Sequence, residues 1–280
     1  MKLKRLVLTG AGGRLGSYLR EPLSKLADEL VSSDIKNSIG TLYPGETYVR
    51  ADLTDKAAIH ALIEGADMVV HFGAVPDEAP FEVIVGPNII GAYHVWEAAH
   101  QHGVRRVVYA SSIHAVGMYP RAEFIDTEVP HRPDTFYGLA KCFAEDLGRM
   151  YYEKRGLESV HLRILSCAKV TSARALGTWL SYDDLIQLVT RAIDTPTVGF
   201  SVVYGVSAND RTPVDNAKAS YLGFRPRDNA EGFAENILSE APLADPTDAA
   251  QMRHGGAFAA VDLGQSGMAQ MNIIDDARKV

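Results

Sequence analysis

Cysteine is scarce in this chain, with Cys142 and Cys167 its only two. They lack the close spacing of a metal knuckle or a redox pair, which reads as reduced thiols in a cytoplasmic protein. Long hydrophobic runs are missing as well. No stretch reaches the roughly 18 apolar residues that cross a bilayer. The apolar opening around Leu6-Val7-Leu8 is too short for a secretory leader and runs straight into glycines. Positive charge is in deficit: 28 Lys and Arg against 35 Asp and Glu leave a net −7. That balance excludes the basic stripe a nucleic-acid partner needs. No grouping of Cys, His and Asp suggests a metal. What is present is a globular composition, 46% hydrophobic over 280 residues, enough for one α/β domain with a modest appendage.

Short apolar runs alternate with helical stretches along the first 165 residues. Strands are expected at Leu3 to Thr9, Leu30 to Ile35, Thr47 to Arg50, Asp67 to Phe72, Val104 to Ser111 and Leu157 to Leu165. Helices are expected at Arg14 to Glu29, Lys56 to Glu64, Asn88 to His102 and Thr135 to Arg155. This spacing predicts βαβ units and a Rossmann-type, doubly wound parallel sheet, with ligand at the carboxyl ends of the strands. After Ser166 the alternation loosens to a helix at Asp183 to Asp194 and a strand at Phe200 to Tyr204. Residues 1–165 thus read as a dinucleotide-binding domain. Residues 166–280 read as a substrate-binding part interleaved with it, ending in an extended surface tail from about Ala241.

The first strand opens into Gly10-Ala11-Gly12-Gly13-Arg14-Leu15-Gly16. Glycine admits positive φ and lets backbone amides and a helix N-terminus approach a pyrophosphate. Asp34, eighteen residues after Gly16, ends the second strand, where a carboxylate can accept from the adenosine ribose hydroxyls. A 2′-phosphate there would meet that charge at a cost on the order of a few kcal/mol. NAD is therefore favoured over NADP, with Lys36 the one counter-indication. Asp52 and Leu53 end the third strand beside the adenine, although Asp52 also suits a helix cap. Phe72, Gly73 and Ala74 end the fourth strand and leave room for the cofactor; His71 reads as a packed strand-end histidine. Asn88 supports the cofactor loop or caps a helix.

Tyr137 and Lys141 lie one helical turn apart. A tyrosine with a reference pKa near 10 is a poor base at neutral pH. An ammonium on the same helix face, with a positive nicotinamide ring, lowers that value. Lys141 can also bind the nicotinamide ribose. Ser112, or alternatively Ser111 nearer the cofactor, follows the fifth strand and can hold the reacting oxygen within proton-transfer reach. The set points to hydride transfer at a carbinol carbon.

These motifs resemble the extended short-chain dehydrogenase/reductase superfamily, the epimerase/dehydratase family, and within it the uronate dehydrogenase family. The resemblance is carried by Pro80-Phe81-Glu82, Asn88-Ile89-Ile90-Gly91, Ser111-Ser112 with His114, and Tyr137-Gly138 through Lys141-Cys142-Phe143. Further on it is carried by Arg163-Ile164 with Ser166-Cys167, Ser207-Ala208-Asn209-Asp210 and Pro246-Thr247-Asp248-Ala249. It implies NAD-dependent oxidation of the anomeric hydroxyl of glucuronate or galacturonate to an aldarolactone. It implies Ser112, Tyr137 and Lys141 as the catalytic triad, and His114, Ser166 and Arg174 as substrate contacts. An arginine suits a carboxylate because the pair is bidentate and charge-assisted. Closed homo-oligomers are common in the family. Pro76 stands where the pattern has a serine, and Ile113 where it has an asparagine. Losing both groups would remove about 1–3 kcal/mol of polar recognition if both touch the sugar. The substrate could then be a neutral aldose, a sugar phosphate or another secondary alcohol. A nucleotide-sugar epimerase would need a larger lobe after Ser166. A non-catalytic NAD sensor would not need the intact triad.

Overall fold

The computed structural model describes residues 2–241, 243 and 245–270. Seven parallel strands form one sheet in the order β3-β2-β1-β4-β5-β6-β7. They are β1 (Leu3–Thr9), β2 (Ala27–Asp34), β3 (Glu46–Arg50), β4 (Met68–His71), β5 (Arg106–Tyr109), β6 (Glu158–Ile164) and β7 (Phe200–Gly205). The strand order reverses between β1 and β4, so a crevice opens past the carboxyl ends of those two strands. β4 and β5 are buried along their whole length, as expected of parallel strands covered on both faces.

The helices are α1 (Arg14–Ser24), α2 (Lys56–Ile63), α3 (Phe81–Ile84), α4 (Gly91–Gln101), α5 (Phe136–Arg155), α6 (Ala175–Thr178), α7 (Tyr182–Asp194), α8 (Ala234–Glu240) and α9 (Ala249–Met252). On one face of the sheet, Leu19 and Leu23 of α1 pack with Leu185, Leu188 and Val189 of α7. On the other, Ile59 and Leu62 of α2 pack with Trp96 of α4 and Tyr151 of α5. Side-chain caps start several helices: Asp55 accepts from Ala58 N, Thr135 from Gly138 N and Ser181 from Asp184 N. Gly156 ends α5 in the left-handed conformation, at φ 72°. Among the described residues no helix is long and apolar enough to cross a membrane.

Three boundaries depart from the sequence reading. The first helix stops at Ser24 rather than Glu29, because Ala27 already pairs with Leu3 across β1 and β2. The helix expected from Asn88 begins at Phe81 and passes through a π-turn, Val85–Ile90. Pro87 lies inside that turn and has no N–H for an α-helical bond, so the wider turn absorbs it. The stretch after Ala241 is not simply extended. It forms α9 and a 3₁₀ turn at Gly256–Ala259 that buries Phe258; its remainder, 242, 244 and 271–280, lies outside the described residues.

Candidate active site

The glycine turn is compact because two positions cannot carry a Cβ. At Gly10 (φ 71°) a Cβ would sit 2.5 Å from the Phe72 carbonyl carbon, and at Gly16 it would sit 2.0 Å from the Gly10 oxygen. β1, β4 and α1 therefore meet closely at the switch point. Gly13 is the N-cap of α1 and supplies no side chain to the first-turn amides. Those amides and the helix dipole suit a pyrophosphate. Asp34 Oδ2 accepts from Gly12 N at 2.8 Å and Oδ1 from Lys36 N at 3.2 Å. Lys36 Nζ in turn donates to the Gly12 carbonyl at 2.5 Å. The lysine is thus tied to the glycine loop.

From this turn a cleft of about 860 Å³ runs across the carboxyl ends of the strands to Tyr137. Gly10, Gly13, Arg14, Leu15, Gly16, Asp34, Asp52, Leu53, Phe72, Gly73, Ala74, Ser111, Tyr137 and Lys141 all line it. So do Pro76, Ser112, His114 and Ser166. Asp52 is not the helix cap, which is Asp55; it closes the preceding turn by accepting from Thr54 N and Thr54 Oγ1. His71 is buried, bonds Thr9 Oγ1 at 2.7 Å, and has its pKa pushed down to about 3, first by burial and then by Lys141.

Three expected contacts lie elsewhere. Asn88 does not line the cleft; its amide pairs with Val75 N and O at 2.8 and 3.0 Å and so holds the loop after β4 that does. Ile113 points into the core with Val116, Ile125, Leu165, Tyr204 and Val214. Ser112 is extended and Ile113–Val116 turn as a 3₁₀ helix, which sends Ile113 inward and His114 to the cleft. Arg174 donates to the His254 carbonyl and packs against Gly256, off the cleft wall.

The chemistry-bearing groups converge. Ser112 and Tyr137 line the same end of the cleft, with Ser112 close enough to oppose the rise in the phenol's pKa, and the Ser112 Oγ accepts from His114 N at 3.3 Å. Lys141 Nζ donates to the Ala110 carbonyl at 2.7 Å and lies 5.1 Å from the Tyr137 ring centroid. Burial pushes the Tyr137 pKa up to about 12; Asp134 and Asp77 add to the rise, while Ser112 and Arg14 oppose it. The lowering expected from the neighbouring lysine is therefore outweighed by desolvation in the protein alone. Burial also brings Lys141 down to about 7, against the pull of the Glu145 carboxylate.

Several residues around the site lie outside the motifs read from the sequence. Glu145, one turn beyond Lys141, accepts from Ser111 Oγ at 2.5 Å, from Arg163 Nε and Nη2 at 3.0 and 2.8 Å, and bonds His131 at 2.8 Å. Burial opposes its charge, but His131 and Arg163 more than compensate and hold it ionised. Asp134 Oδ2 bonds His114 Nδ1 at 2.7 Å. Phe258 stacks on the His114 ring at 4.0 Å and, with Met268, lines the cleft. An acid at i+4 from Lys141 on a buried helix face was the only one of these visible in the spacing.

Residues 6–168 match the model of the NAD dependent epimerase/dehydratase family, and the chain belongs to that family. The fold, the glycine cradle and the Asp34 carboxylate fit its cofactor, which is NAD. The chain is 47% identical to uronate dehydrogenase from Pseudomonas putida over 257 residues, covering 91% of this chain and 95% of that protein. A tyrosine-to-alanine variant of uronate dehydrogenase from Agrobacterium tumefaciens, complexed with NAD, superposes with a TM-score of 0.88 at 42% identity, covering 92% of this chain and 98% of that one. Glucuronic acid dehydrogenase from Chromohalobacter salexigens gives a TM-score of 0.89 at 46% identity, covering 93% and 98%. The protein is an NAD-dependent oxidoreductase acting on a CH–OH group.

Asp34→Ser tests the cofactor end. Removing the carboxylate should raise the KM for NAD about ten- to hundredfold, the equivalent of one or two charge-assisted hydrogen bonds, and should narrow the preference over NADP. Steady-state kinetics with both cofactors reads this out; an unchanged KM ratio would refute the role given to Asp34.

Proposed function

We propose that this enzyme oxidises the anomeric hydroxyl of a hexuronate, glucuronate or galacturonate, to the aldarolactone, with Tyr137 as general base. The observation that carries the reading is the convergence of Ser112, Tyr137 and the buried Lys141, whose Nζ lies 5.1 Å from the Tyr137 ring centroid, at the end of a cleft that begins at the glycine turn. Oxidised NAD, held by the glycine turn and Asp34, would supply the hydride acceptor and a positive charge to this end of the cleft. Tyr137 takes the hydroxyl proton as the carbon loses hydride. Ser112 holds the sugar oxygen against the phenol oxygen, and Lys141 supplies positive charge beside the ring, 5.1 Å from its centroid. Ser166 and His114 face the same space, the latter fixed by Asp134. Arg174 lies off the cleft wall, bonded to the His254 carbonyl, so it serves as the cation for the substrate carboxylate only if the strap that carries Phe258 shifts; its Nε, buried without a partner among the described residues, is the donor it would bring. A second reading, a neutral aldose, is favoured by Pro76, which puts an apolar ring where a hydroxyl would reach the sugar. A homo-oligomeric assembly fits the exposed Leu139, Phe143 and Met150 of α5 and Tyr93 of α4.

The decisive experiment follows NADH formation with glucuronate, galacturonate and a panel of neutral aldoses, with the product identified by NMR. The expected result is turnover of a uronate with a lactone as first product. Turnover confined to neutral sugars would replace this reading with the second one.

A further inference from the structure

The loop after β4 carries two adjacent acids, Asp77 and Glu78, that the proposed chemistry does not use. Glu78 is 2% exposed and has no cationic partner among the described residues, which is unusual for a carboxylate. Its two oxygens reach different parts of the chain. Oε2 accepts from Tyr137 N at 2.9 Å, and Oε1 from Gly264 N at 2.8 Å. The first bond caps the opening turn of the helix that carries the base, where a negative charge is favoured. The second ties the same carboxylate to a segment 186 positions further along. Asp77 adds to that tie: its Oδ1 accepts from Gly267 N and Met268 N, both at 3.1 Å, and its Oδ2 accepts from Ser266 Oγ.

The segment so held forms a wall of the cleft. Gly267 lies so close against Phe258 that a Cβ there would come within 2.4 Å of the ring. Phe258 stacks on His114 and stands 6.1 Å, centroid to centroid, from Tyr137; Met268 lines the cleft itself. A continuous path of contacts thus runs from Asp77 and Glu78 through residues 264–268 to Phe258, and back to Tyr137 through its own amide.

We propose that Glu78 is a positioning residue that latches the C-terminal strap over the sugar end of the cleft and, with the same carboxylate, fixes the start of the helix bearing Tyr137, with Asp77 as the second half of the latch. The strap then shapes the substrate compartment while leaving the cofactor end untouched. This deepens the sugar-acid reading and rests on it for the kinetic arm of the test alone.

The experiment uses the full chain. Glu78→Ala removes both bonds, and Asp77→Ala, a less buried change, releases residues 266–268 only. In hydrogen exchange followed by mass spectrometry, peptides covering 256–268 should exchange at least about tenfold faster in both variants. The KM for the uronate should rise about tenfold in both, with the KM for NAD within twofold of the unaltered enzyme. Glu78→Gln keeps one acceptor oxygen but turns an NH₂ toward the other N–H, so it should fall between the two states. A capping role alone predicts that strap exchange stays put and that glutamine restores the enzyme fully; that outcome overturns the latch. Unchanged exchange in the strap of both alanine variants overturns it as well, whatever the kinetics. Absence of uronate turnover by the unaltered enzyme would sink the substrate reading, while exchange, which needs no substrate, still decides the latch.

Discussion

Replacing Tyr137 with phenylalanine should leave a protein that binds NAD normally and oxidises its sugar at least about a thousandfold more slowly. Positioned proton transfer contributes roughly 10²–10⁴ in rate, and the hydroxyl is the only part of the residue this change removes. The ring stays, and with it the edge contacts to His114 and Phe258. The backbone amide that Glu78 accepts also stays. Ser112 keeps the His114 amide. The defect should therefore fall on kcat, with the dissociation constant for NAD, measured by fluorescence titration, changed less than twofold. In the protein alone the phenol is protonated up to about pH 12, so the unaltered enzyme should run faster as pH rises toward the value set by the cofactor complex. That acid-side limb should vanish in the phenylalanine variant, whose residual rate should be flat with pH. Residual activity above a tenth of the original would remove Tyr137 from the role of base.

What the chain disclosed before its structure was known depended on range. The glycine turn, Asp34 and the Tyr137–Lys141 pair are local patterns, each set by one turn or by one strand and the loop after it, and all of them line the cleft. The side chains after a strand end were harder. Whether Ile113 or His114 faces the cleft depends on the 3₁₀ turn that follows Ser112, and no periodicity reports that turn. For Asn88 the sequence leaves loop support and a helix cap open; its pairing with Val75, which makes it loop support, depends on the π-turn at Pro87. The strap was illegible for a different reason. Residues 249–268 hold only short helical turns and bury one large ring, Phe258, so their sequence carries no amphipathic stripe. Residues 252–255 are held by backbone bonds to Gly117, Tyr119 and Arg121, and residues 264–268 by single hydrogen bonds to Asp77 and Glu78 across about 190 positions.

Lys141→Met should abolish most of the activity and at the same time make the protein harder to melt at neutral pH. The lysine is 3% exposed and donates to the Ala110 carbonyl. Burial carries its pKa from an ordinary 10.5 down to about 7. Between those two values the unfolded chain holds a proton that the folded chain has released, so stability rises with pH across this window. Below about pH 7 the full cost of the buried amine persists, on the order of 3–5 kcal/mol for a shift of this size. Methionine has a similar length and no charge. It forfeits the bond to Ala110 and the attraction to Glu145, so the net gain should be roughly 1–3 kcal/mol, several degrees in melting temperature. Glu145 does not become an orphan, since Arg163 and His131 still hold it. Melting curves of the two proteins should lie furthest apart at and below pH 7 and converge toward pH 10. Tyr137, held protonated up to about 12, erodes both equally above pH 10 and cancels in the comparison. Activity should fall by about a hundredfold or more, because the charge beside the phenol and the donor expected to reach the nicotinamide ribose leave together. A variant that melts several degrees lower at pH 7 would mean that Lys141 is compensated in the fold, and the strain assigned to it here would have to be withdrawn.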